Sequence, residues 1–110
     1  MSVKNVFEQT YVLLKDLSVV ENRAEFCKDW LGRNESYFRC LRYKNKQPST
    51  HTIAVISNKL RHYSTLLKSS NNPTSVQVAD KFAVLCAQFE SHLHIQAKDT
   101  WVKAMELSND

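Results

Sequence analysis

NRAEFCKDWLGRNESYFRCLRYKNKQPSTHTIAVISNKL, running from Asn22 to Leu60, is the stretch whose reading decides the fold. It reads as three short helices with tight joints. Asn22 with Glu25 three positions on forms a capping box, Asn standing in the usual Ser/Thr slot. Phe26, Cys27, Trp30 and Leu31 then share one helical face. Gly32, the only glycine, stands where a left-handed C-terminal cap is wanted. Asn34 can start a second helix, with Glu35 well placed in its first turn. That helix turns Tyr37, Phe38, Leu41 and Cys40 inward, and Arg39 and Arg42 towards water. Asn45 to Pro48 break it, because proline disfavours helix at the residue before it. Ser49 caps a third helix bearing Ile53, Ile56 and Leu60.

Outward from that stretch the chain remains helical. Ser2 or Asn5 opens a first helix running to about Leu17, with Val6, Phe7, Tyr11, Leu13, Leu14 and Leu17 on its apolar face. Val19 and Val20 offer a hydrophobic staple to the next helix. The helix after Ser49 continues to Leu67 or Lys68, since Tyr63 and Leu67 keep its spacing. SSNNPT, Ser69 to Thr74, is a loop by composition. After it, Val78 or Ala79, Phe82, Cys86, Phe89, Leu93, Trp101 and Met105 mark an inward stripe. Residues 75–107 form either one long helix or two, with a joint near Gln96 to Asp99. A helix of this length outruns the core of a small domain, and a second copy of the chain would bury its far end.

The expectation is therefore one all-α domain over residues 1–110, a bundle of five to six helices. Its core lies at about 22–60, with a long C-terminal element at about 73–107 for accessory packing or dimerisation. One glycine and two prolines are too few for the turns of an all-β protein. No apolar run approaches membrane-spanning length and nothing resembles a signal peptide, so the expectation is a cytoplasmic protein with no membrane partner. Cys27, Cys40 and Cys86 are odd in number and far apart, and read as buried free thiols.

No catalytic motif is present. A single glycine excludes a glycine-rich phosphate loop, and neither Cys-x-x-Cys nor His-Glu-x-x-His occurs. His92 and His94, two apart on a helix, point in different directions and do not chelate one ion. The reading is non-enzymatic, with no metal and no cofactor. Charge distribution is more informative than the net +4. Between Glu35 and Asp80 there are no acidic residues and seven basic ones: Arg39, Arg42, Lys44, Lys46, Lys59, Arg61 and Lys68. The remainder, eight basic and eleven acidic residues, nets −3. A positive middle between acidic ends points to an anionic partner.

A helix with a small residue, Cys27, in its middle, then Gly32, then a second helix anchored by Tyr37 or Phe38 and Leu41, is the layout of a helix-turn-helix. The basic link Lys44 to Pro48 and the helix opened by Ser49 complete it. Residues from about Arg23 to Leu60 resemble the helix-turn-helix of Cro/CI-type phage repressors and related bacterial regulators. Two departures stand out. One residue more than usual separates Cys27 from Gly32, and the glycine common at the end of the second helix is replaced by Tyr43 or Lys44. The resemblance implies a small transcriptional regulator that binds double-stranded DNA, often as a homodimer. Its second helix would enter the major groove, with Asn34, Ser36 and Arg39 against base edges and Glu35 accepting from cytosine. Arg33, Arg42, Lys44 and Lys46 would hold phosphates. The alternative is a non-catalytic protein-interaction module with the same core, using its C-terminal helix as the partner or dimer surface.

Overall fold

In the computed structural model, residues 2–108 are described. Among them there is no strand; five helices follow one another, so the all-α expectation holds. Helix α1, Val3–Asp16, starts where Ser2 accepts a hydrogen bond from the Asn5 N–H. Its buried face is Val3, Val6, Phe7, Thr10, Tyr11 and Leu14, while Leu17 is exposed. Thr10 is tolerated inside because its hydroxyl donates to the Val6 carbonyl at 2.8 Å.

Helix α2 begins as Arg23–Glu25 and continues as a π-helical segment, Phe26–Trp30. The capping box forms as expected on one side, Asn22 Oδ1 accepting from the Glu25 N–H at 3.0 Å. The Glu25 carboxylate reaches one residue further back, to the Glu21 N–H at 2.8 Å. The π segment holds one more residue per turn than an α-helix. It therefore takes up the extra residue between Cys27 and Gly32 without rotating either end: Phe26, Cys27, Trp30 and Leu31 are all buried. Gly32 caps it at φ +63°, and the closing bond, Arg33 N–H to the Cys27 carbonyl, is one residue wider than in the usual glycine cap.

Helix α3, Tyr37–Lys44, starts later than expected from Asn34. Asn34 instead makes a tight turn whose carbonyl accepts from the Tyr37 N–H. At the other end Asn45 adopts the left-handed conformation, φ 52°, and the Asn45 and Lys46 N–H groups close onto the Arg42 and Leu41 carbonyls. Asparagine thus does the work of the missing glycine. Helix α4, Thr50–Lys68, is capped by Ser49 and buries Ile53, Ile56 and Leu60.

Helix α5, Pro73–Ser108, is a single unbroken helix of 36 residues, so no joint forms near Gln96. Thr100 donates within it to the Gln96 carbonyl rather than starting a new helix. The most extensive packing is between α4 and α5. Small residues let the two approach: Ser64 donates to the Ala79 carbonyl at 2.8 Å, and the Cys86 thiol donates to the Ser57 carbonyl at 3.3 Å. The core collects Phe7, Phe26, Phe89, Leu14, Ile53, Ile56 and Leu60, with Phe7 and Phe89 meeting edge to face at 4.8 Å. Burial along α5 ends at about Leu93, and Thr50 reaches Gln96 at 3.2 Å as a last tie. Beyond it Trp101 and Met105, expected in the core, are 53% and 55% exposed. The helix simply runs past the end of everything it could pack on.

Candidate nucleic-acid interface

Helix α3 is anchored along one side only. Phe38 lies between Phe7 (5.4 Å, edge to face) and Phe26 (6.3 Å, nearly parallel). Tyr37 faces inward as well. Its hydroxyl donates to Thr52 Oγ1 at 3.2 Å and accepts from the Ser49 N–H at 3.3 Å. Arg33 completes this lock, donating from Nε to Thr52 Oγ1 (2.9 Å) and from Nη2 to Ser49 Oγ (3.1 Å), with its guanidinium 5.3 Å from the Tyr37 ring centre. The turn, the first turn of α3 and the cap of α4 are therefore held as one unit. No residue of α3 is fully buried.

What remains faces solvent. Ser36, Arg39, Cys40 and Tyr43 follow the i, i+3, i+4, i+7 spacing of one helical face, and Tyr43 is 91% exposed. Arg42, Lys44 and Lys46, all exposed, flank that face. Among the described residues, none of Arg39, Arg42, Lys44 and Lys46 forms an ion pair. Arg42 also borders a cleft of about 130 Å³ that includes Lys4, Glu8, Arg23 and Phe38. There Arg23 donates to both Glu8 oxygens, at 2.6 and 2.8 Å, and these hydrogen bonds hold the Glu8 carboxyl below its ordinary range.

The structure separates the other residues singled out in the sequence. Arg33 is drawn inward as a strut. Asn34 Oδ1 accepts from both the Ser36 N–H and the Ser36 hydroxyl at 2.9 Å, so these two side chains serve each other. Glu35 is partly offset by Lys28 at 3.7 Å. Cys40, expected to be buried, is exposed, whereas Cys27 and Cys86 are buried. The basic middle is divided too: Arg61 pairs with Glu90, and Lys59 bonds the Asp29 carbonyl while lying 4.7 Å from the Trp30 ring centre. Four cations thus remain together, on α3 and its exit, with Lys68 apart at the end of α4. Sequence reasoning missed Tyr43 as a surface residue of this face. Its spacing from Ser36 and Arg39 carried that signal.

Among the described residues no three His, Cys, Asp or Glu side chains come close enough to hold a metal ion. No helix among the described residues is long and apolar enough to cross a membrane. No curated protein and no solved structure matches the chain. Over residues 7–102, from within α1 to the projecting part of α5, the chain matches the family of unknown function DUF6626, and it belongs to that family.

Proposed function

We propose that this chain is a small, non-catalytic DNA-binding protein, a transcriptional regulator that lays the outward face of α3 in the major groove. The observation that carries the reading is that face itself: Arg39 and Tyr43 project from a helix fixed only on its other side, flanked by three cations with no acidic partner among the described residues. Two local features add support, since the π segment and Asn45 accommodate the two departures from the Cro/CI-type spacing. Arg39 is the residue to read a base, its two-donor fork matching guanine. Arg42, Lys44 and Lys46 hold phosphates and set register. Asn34 keeps only its amide N–H groups for a base, and Arg33 positions α3 rather than touching DNA.

The test is a titration with duplex DNA at several salt concentrations. Three or four phosphate contacts per chain give a slope of log K against log salt of about −3 to −4. Lys46→Ala then lowers that slope by about 1, while Arg39→Ala costs about 1–3 kcal/mol on a selected site only. Absence of binding at low salt sinks the reading. A protein-interaction module is the second reading, favoured by one observation, the exposed Ile95, Trp101 and Met105 of α5.

A further inference from the structure

The exposed side of α5 carries a second periodicity, distinct from the one that packs on α4. Val84, Gln88, Ser91, Ile95, Lys98, Val102 and Met105 are spaced by alternating steps of four and three, the a/d seam of a coiled coil. Val84 and Ile95 are 58% and 57% exposed, so the seam lies open along the body of the protein as well as along the projecting turns. We propose that it pairs with the same seam of a second copy, antiparallel, about a two-fold axis near residue 93.

Self-complementarity selects this occupant and this direction. At its N-terminal half the seam borders a groove of about 370 Å³ between α1 and α5, lined by Leu13, Val84 and Leu85 with Asp80 and Lys81 at the rim. At its C-terminal half stand Met105, 55% exposed, and the half-buried Val102, on the part of α5 that projects past the core. A two-fold axis exchanges the halves and brings each knob to a groove. In this register Val84 meets Val102 of the partner subunit, and Ser91 meets Ile95 of the partner subunit. Gln88 falls beside Lys98 of the partner subunit. Gln88 is half-buried, and its neutral amide opposite a lysine avoids a like-charge contact at that level of the seam. Parallel pairing would instead set Lys98 against its own copy, a like-charge contact in the middle of the seam.

The size is adequate. Val84 to Met105 spans about 33 Å of helix. With the α1 flank at Leu13 widening the strip to about 15 Å, the two faces together bury on the order of 1,000 Å², the threshold for a specific interface. The proposal stands independently of DNA binding.

Sedimentation equilibrium without DNA tests it. The chain is expected to be dimeric at micromolar concentration, with Ile95→Asp and Val102→Asp each weakening the dimer by at least about tenfold while circular dichroism shows helicity retained. Orientation is read in a Cys40→Ser background. Val84→Cys with Val102→Cys in one chain should give an oxidised dimer, because 18 residues of helix, about 27 Å, prevent a link within the chain. Val102→Cys alone should not link. A monomer at all concentrations, a dimer indifferent to both aspartate variants, or a link through Val102→Cys alone overturns the proposal.

Discussion

Among the described residues three helix ends are closed by a residue with positive φ, and each uses different chemistry: Ser18 at 61°, Gly32 at 63° and Asn45 at 52°. Only glycine adopts that conformation without crowding at Cβ, and asparagine tolerates it better than serine. A Cβ built on Gly32 meets nothing within 4 Å, so Gly32→Ala tests backbone strain alone. It should cost about 1–2 kcal/mol in urea unfolding. Ser18→Gly should stabilise by up to about 1 kcal/mol, and Asn45→Gly by less. Gly32 was legible from sequence because glycine announces itself. Ser18 and Asn45 were not, since their conformation is imposed by the hydrogen bonds that close the helix after them. The thiols follow the same division between identity and surroundings. Burial pushes the Cys27 thiol above its ordinary pKa, against a backbone hydrogen bond at Phe38 and the charge of Arg23. The unfolded chain therefore loses that proton first as pH rises, so stability falls through the alkaline range above the ordinary thiol pKa. With a thiol reagent at neutral pH, Cys40 should react fast and Cys27 and Cys86 only as slowly as the protein opens.

At the scale of elements, the π segment explains how α2 presents four core residues despite its extra length. Deleting exposed Lys28 should let the segment close as a regular α-helix with its ends still in place. Deleting exposed Asn58 from α4 should instead rotate everything after it by about 100°, moving Leu60 off the core. The Lys28 deletion is thus expected to keep cooperative thermal unfolding with a modest fall in Tm, and the Asn58 deletion to abolish it. Sequence spacing revealed the surplus residue but not where it would go, because that depends on packing both ends of α2 at once. Helix α3 shows the same limit. Its outward cations were readable from periodicity. That Arg33 would turn inward beside Tyr37 depends on Ser49 and Thr52 arriving there from another helix.

Over the whole molecule the long dimension is 58 Å, and α5 alone, at 1.5 Å per residue, supplies about 54 Å of it. The aromatic residues of α5 should therefore differ sharply in what they contribute. Phe89→Ala, at the centre of the core against Phe7, should cost about 3–5 kcal/mol in chemical denaturation. Trp101→Ala should change the stability of the isolated chain by less than about 0.5 kcal/mol. From sequence the two looked alike, since both stand at helical spacing on one apolar stripe. Periodicity records direction around a helix axis and, with the cap residues Asn22, Gly32 and Ser49 read from their own chemistry, it determined the helical class and most of the inward faces. Whether another element exists in that direction is a property of the assembled fold. That α5 outruns a small core followed from its length, but only tertiary structure decided that it does so after Leu93, and that Arg61 and Lys59 are drawn into contacts within the chain. It also decided that the cations of α3 and its exit form no ion pair among the described residues, because charge pairing depends on residues distant in the chain.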